Sequence, residues 1–277
     1  MEYEVKNNKI IIRNKKDFNL KHIFECGQIF SYKKISENEF VVYSKDKVAM
    51  CKEFESFVEI ETEFIDYFIN FFDLNTDYSK IKNELKQKFP FLSDVISFGY
   101  GIRILKQDPF ETIISFIVSA NNNIKRIQKI LFAIRKSYGQ NMGSYYSFPT
   151  IKQLGNATID DFTLLGLGYR AKYIFNAIKQ LKNVDYNVLK QKSTSDLNSF
   201  LLSIFGVGQK VADCIMLFGF SKQDVFPVDT WIEKVYNKNF ESEHNRKIIR
   251  EKLLNTFGNL SGYAQQYLFY YQRSSKK

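Results

Sequence analysis

Cysteine and histidine are scarce in this chain of 277 residues. The three cysteines, Cys26, Cys51 and Cys214, lie far apart and show no CxxC spacing. They make no disulfide framework, which predicts a reducing compartment. They also fall short of the four thiolates of an iron–sulfur cluster. His22 and His244 are the only histidines, too few for a histidine-rich metal site, so no metal is expected. Long apolar runs are missing too. The longest, about Ile113–Val118, is far short of a membrane span. The N-terminal MEYEVKNNKIII lacks the apolar stretch of a signal peptide. The expectation is a soluble, cytoplasmic protein without a membrane partner. There is no internal repeat, low-complexity tract or long linker.

Positive charge and aromatic rings are plentiful. The formal net charge is +10, which favours a polyanionic partner, DNA or RNA ahead of a membrane surface. Charge alone does not decide, because lysine-rich surfaces also occur in AT-rich bacterial proteomes. With 27 Phe and 17 Tyr the chain can fill a sizeable core, as one large domain or two intimate ones.

Residues 1–61 read as strands. Apolar and polar residues alternate over Tyr3–Val5, Ile10–Ile12, Ile29–Tyr32, Phe40–Tyr43 and Val48–Cys51, with turn-forming residues between them. From about Thr62 the period becomes helical. Phe64, Tyr67, Phe68 and Phe71 form one stripe, and Ile81, Leu85 and Phe89 another. After Pro109 the pattern is almost wholly helical. Ile124, Ile127, Ile130 and Ile134 predict a buried helix face, with Arg126, Lys129 and Arg135 pointing elsewhere. A soft boundary near Ile104–Asp108 divides a β-rich domain, 1–105, from a helical one, 106–277. The fold class is α+β.

The segment Leu201–Tyr236 carries the chemistry. Leu201, Leu202, Ile204 and Phe205 are expected to close one helix on an apolar face. Gly206, Val207 and Gly208 then form a turn, and the next helix starts near Gln209. Its free N–H groups and positive dipole end suit a phosphate. Val211, Ile215 and Phe218 can pack inward. Lys210 sits in the first turn, where the dipole and partial desolvation should lower its pKa and make it a better nucleophile. A bare GxG with a lysine is equally a helix-ending turn with a solvated side chain. The following Pro227-Val-Asp229 shifts the reading. It places Asp229 at the N-cap of a helix beginning near Thr230, a role compatible with catalysis.

Three other stretches are candidates. Ser119–Asn123 makes a turn and an N-cap, or else offers Asn121 and Asn122 to a groove, with Arg126 on the same side. Gly166–Arg170 is a second glycine-rich helix start. There Tyr169 could wedge into a base stack beside Arg170, or simply lie on the surface. Gln265 and Phe269, four apart on the final helix, share a face, as on any amphipathic helix. The tail Arg273–Lys277 is expected to be disordered.

Taken together, these blocks resemble the 8-oxoguanine DNA glycosylase/lyase family of the helix-hairpin-helix-GPD superfamily, in the eukaryotic-like form found in some bacteria. The resemblance runs from about Phe24 to Phe269. It rests on Gly27–Tyr32, Gln107–Pro109, Ser119–Arg126, Leu165–Tyr173, Gly206–Cys214 with Pro227–Asp229, and Gly262–Phe269. It implies a TBP-like antiparallel N-terminal sheet packed on a helical glycosylase domain. It also implies Lys210 as nucleophile and Asp229 as catalytic aspartate. Gly27 would offer the carbonyl that accepts the N7 hydrogen of 8-oxoguanine, and Gln265 would meet the base's pairing edge. Cys214 and Phe269 would sandwich the flipped base. Asn121, Arg126 and Arg170 would hold the orphaned cytosine, and Tyr169 would be the wedge. The partner implied is double-stranded DNA containing 8-oxoguanine, bound by a monomer. No cofactor is implied beyond a monovalent cation at the hairpin. One position departs: the animal enzymes carry a histidine two residues past the aspartate, where this chain has Trp231. That puts a phosphate contact in doubt. Two alternatives stay open at this point, a related glycosylase for another lesion and a noncatalytic phosphate clamp.

Overall fold

A computed structural model describes residues 1–274. The N-terminal strands β1 (Glu4–Lys6), β2 (Lys9–Ile12), β3 (Tyr32–Ser36), β4 (Glu39–Ser44), β5 (Lys47–Glu53) and β6 (Val58–Glu61) form one antiparallel sheet in the order β1-β2-β6-β5-β4-β3. Alternation sets its faces. In β4, Phe40, Val42 and Ser44 point inward while their neighbours are half-exposed, and Ile10 and Ile12 do the same in β2. The inward face packs on helices Leu20–Phe24 and Ile65–Phe71, with Phe24 stacked on Phe40 at 5.1 Å between ring centroids.

Two local expectations change. The run Ile29–Tyr32 is not a strand, since β3 begins only at Tyr32. The buried Gln28 amide before it ties this segment to neighbouring stretches of the chain instead. It donates to the carbonyls of Ile23 (2.9 Å) and Arg103 (2.8 Å) and accepts from the N–H of Leu105 (2.9 Å). Arg135, expected to point away from the core, is buried. It forms an ion pair with buried Glu111, which also accepts from the Ser31 hydroxyl (2.7 Å) and the Lys45 N–H (2.8 Å). Periodicity cannot register a charged side chain that turns inward to meet a partner.

Three apolar cores follow. The sheet core ends at Leu105, whereas Ile104 belongs to a central helical core that runs through helices Pro109–Ser119, Ile124–Tyr138, Arg170–Leu181 and Gln209–Gly219. The third core joins two stretches far apart in the chain. Leu85, Leu92 and Ile96 meet Phe226, Ile232, Leu253 and Tyr267. No helix among the described residues is long and apolar enough to cross a membrane.

Candidate active site

The hairpin consists of helix Thr194–Ser203, a turn, and helix Gln209–Gly219. Gly206 has φ +91°, and a Cβ there would sit 2.6 Å from the Tyr173 ring, so both backbone and space demand glycine. Val207 is buried and anchors the turn by donating its N–H to Ile204 (3.0 Å). Gly208 is the N-cap with no side-chain cap, which leaves the first-turn N–H groups facing outward. The apolar face expected at the end of the first helix splits. Leu201 and Ile204 are buried, whereas Leu202 and Phe205 are exposed. The helix stops at Ser203, so the turn swings Phe205 outward against Tyr173, 5.3 Å between ring centroids.

Lys210 lies half-buried, its ammonium 5.7 Å from the centre of the Phe116 ring. One helical turn on is Cys214. Burial pushes its thiol up to about 11 even with Lys210 beside it, so it remains a neutral, polarisable surface. Asp229 caps helix Thr230–Asn239, with Oδ1 accepting from the N–H groups of Trp231 (2.9 Å) and Ile232 (3.0 Å). Cys214 feels the charges of both Lys210 and Asp229. Among the described residues those two form no ion pair with each other. The nucleophile candidate and the carboxylate thus both lie near Cys214.

Gln265 reaches the same region from the last helix, Ser261–Ser274. It is 5% exposed, its Nε2 lies 3.4 Å from the Pro227 carbonyl, and its Oε1 is buried without a partner. Gly27, at φ +86°, packs beside Phe269: a Cβ would meet that ring at 3.1 Å and Arg273 at 2.7 Å. No donor among the described residues reaches the Gly27 carbonyl. Two residues that sequence reasoning missed hold this loop. Gln266 donates to the Cys26 carbonyl (3.0 Å), and Arg273 to the Glu25 carbonyl. Arg273 was expected in a disordered tail. Instead it is helical and lies over the Phe269 ring at 5.2 Å, while residues 275–277 lie outside the described residues. Extending the four-residue spacing of Gln265 and Phe269 one step further would have found it.

A second cluster stands beside the hairpin. Asn121 is exposed at φ +48°. Asn122 works within the turn, donating to Val118 (3.1 Å), and Asn123 caps helix Ile124–Tyr138. Arg126 is exposed and donates to the Gly166 carbonyl (3.2 Å). Arg170 is only 3% exposed. Its guanidinium grips the carbonyls of Ala120 and Asn121 and lies over the Tyr169 ring at 4.4 Å. Tyr169 itself is exposed and touches Tyr173 edge-on at 5.5 Å. Rings 169, 173 and 205 therefore connect the two clusters. Among the described residues no group of three or more His, Cys, Asp or Glu could hold a metal ion.

Comparison with known proteins places this geometry in context. Residues 10–113 match the model of the 8-oxoguanine DNA glycosylase N-terminal domain, and residues 114–258 that of the HhH-GPD superfamily of base excision DNA repair proteins. An N-glycosylase/DNA lyase of Saccharomyces cerevisiae is 36% identical over 54% of this chain, and the match spans 45% of that protein. A probable N-glycosylase/DNA lyase of Methanothermobacter thermautotrophicus is 32% identical, over 74% of this chain and 73% of its own. The crystal structure of Clostridium acetobutylicum 8-oxoguanine glycosylase/lyase, in complex with double-stranded DNA holding cytosine opposite 8-oxoguanine, superposes with a TM-score of 0.93. It is 38% identical and covers 100% of this chain and 99% of its own.

Proposed function

The chain belongs to the HhH-GPD superfamily of base excision DNA repair proteins, with an 8-oxoguanine DNA glycosylase N-terminal domain, and from that premise we propose that it is a bifunctional 8-oxoguanine DNA glycosylase/lyase. The observation that carries this reading is the approach of Lys210 and Asp229 to Cys214, with the unsatisfied Gln265 amide against the neighbouring Pro227 carbonyl, behind an uncapped phosphate-binding turn.

The duplex binds with a phosphate on the N–H groups that follow Gly208. The lesion must leave the stack, at a cost of a few kcal/mol, and Tyr169 fills the space left behind. Asn121 and Arg126 meet the orphaned cytosine. Arg170, already spent on the 120–121 carbonyls, braces the loop that presents Asn121. The flipped base stacks between Cys214 and Phe269 with Gln265 at its pairing edge. Oxidation at C8 places a hydrogen on N7, and the open Gly27 carbonyl accepts it. Guanine has a lone pair there and forfeits about 1–3 kcal/mol.

Neutral Lys210 then attacks C1′ of the deoxyribose. The C1′–N9 bond breaks and the base departs with its electron pair, taking up a proton. Asp229 offsets the positive charge that develops on the sugar and assists proton transfer. Opening of the sugar ring gives a Schiff base on Lys210. Loss of a C2′ proton then expels the 3′ phosphate by β-elimination. A monovalent cation at the hairpin would be held by main-chain carbonyls such as that of Ile204, which keeps a second lone pair beyond its bond from Val207. None of these steps passes through it.

Borohydride trapping tests the assignment. With a duplex carrying one 8-oxoguanine opposite cytosine, the wild-type chain should give a covalent band that undamaged duplex does not. Lys210→Gln should bind the lesion duplex and give neither band nor free base. Tight binding without trapping by the wild-type chain would point to another lesion or to a clamp, and base release by Lys210→Gln would overturn the role of the lysine.

A further inference from the structure

Away from Lys210, a cleft of about 1460 Å³ opens between edge strand β3, helix Ile124–Tyr138, the turn 143–146 and the end of the last helix. It exceeds the roughly 300–1,000 Å³ typical of small-ligand pockets, which favours a polymer segment over a metabolite. Its charge is one-sided. Lys33 on β3 and Lys125 and Lys129 on the helix line it, and none of the three pairs with a carboxylate among the described residues. Glu25 is the one acidic lining residue, and Lys34 already holds it at 3.0 Å.

The helix wall also carries an exposed ring. Phe132 shares a face with Lys125 and Lys129 and is 59% exposed, although the opposite face of that helix is core. A ring between cations is the arrangement that holds unpaired bases, because bases within a duplex have no free face to offer it. The cleft also continues the candidate DNA surface. Asn123, one of its lining residues, caps the same helix and closes the loop that presents Asn121.

We infer that this cleft is a second nucleic-acid site that takes a short single-stranded tract, with phosphates on Lys33, Lys125 and Lys129 and a base stacked on Phe132. The inference rests on DNA being the partner and not on the chemistry of Lys210.

Fluorescence anisotropy of the full chain with a labelled oligothymidylate of about twelve nucleotides tests it. Phe132→Ala should weaken binding about tenfold. Lys33→Glu and Lys129→Glu should each reduce the slope of log affinity against log salt by about 0.7 or more. Borohydride trapping on a short blunt lesion duplex should be unchanged in all three. Absence of oligothymidylate binding by the wild-type chain would overturn the inference. So would variants that bind it as the wild type does. A chain that binds through the cleft but traps no lesion duplex would leave the cleft standing and remove the enzyme assignment.

Discussion

A buried amide oxygen without a partner costs about 1–3 kcal/mol, and Gln265 carries that cost beside the Pro227 carbonyl. A ligand edge that donates to Oε1 would recover it. Gly27 shows the complementary economy. Its positive φ and its closeness to Phe269 and Arg273 leave no room for a side chain, and its carbonyl is left open. Gly27→Ala adds about 1–2 kcal/mol of backbone strain and pushes the loop off the ring. It should lower 8-oxoguanine excision at least tenfold while leaving strand cleavage at a preformed abasic site nearly intact, since that step needs no base. Parallel single-turnover assays on the two substrates make the comparison, and equal loss in both would remove Gly27 from base reading. Spacing alone puts Gln265 and Phe269 on one helix face, whereas a role for Cys214 is implied only by the family resemblance. The loop ties through Gln266 and Arg273 were not legible in the sequence, because they join positions some 240 residues apart.

At the scale of elements, the hairpin helix is held from behind. Asp213 is fully buried, and Arg250 of helix Arg246–Phe257 donates to both of its oxygens, at 2.6 and 2.8 Å. Burial pushes the Asp213 carboxyl above its ordinary value and the Arg250 pair opposes that. Gln209, at the head of the same helix, donates to Asp213 at 3.0 Å, so the pair fixes the first turn that carries Lys210. Arg250→Met would strand a buried charge and should cost about 3–5 kcal/mol in denaturant unfolding. Asp213→Asn added to it should restore part of the loss. Full additivity of the two changes would show that they do not act as a pair. Neither residue stood out in the sequence, since an aspartate between Ala212 and Cys214 is not marked by any motif.

For the whole molecule, the joint between sheet and helices is polar. Glu111 and Arg135 pair beneath the turn at Lys45, and Arg135 also donates to the carbonyls of Lys45 and Tyr146 (both 3.3 Å). His22 sits at another joint. Its Nδ1 accepts from the Gly101 N–H (3.3 Å), and its ring meets those of Tyr100 and Tyr270. Burial lowers its pKa from 6.5 to about 4. The unfolded chain takes a proton there below about pH 6.5 that the folded chain refuses until about pH 4. Stability should therefore be full above 6.5 and fall as the pH drops through that window, by at most about 1.4 kcal/mol per unit. Denaturant titrations at pH 7 and pH 5 should show this fall, reduced in His22→Gln. An equal fall in both proteins would assign it to other groups.

Local order alone determined much of this protein. Alternation marked the strands around Ile10, Phe40 and Val48, a 3.6-residue period marked the helices after Pro109, and Gly206–Gly208 with Pro227–Asp229 marked the hairpin and the caps. These features depend on neighbours a few residues apart, which periodicity and capping rules can see. Tertiary structure decided what Gln28, Arg103, Glu111, Arg135 and Arg273 do. Each is a long polar side chain whose partner lies far away in sequence, and only packing determines whether it meets water or a buried carbonyl. The approach of Lys210 and Asp229 to Cys214 is decided the same way. It comes from how two helices with independent local signals dock on a shared core.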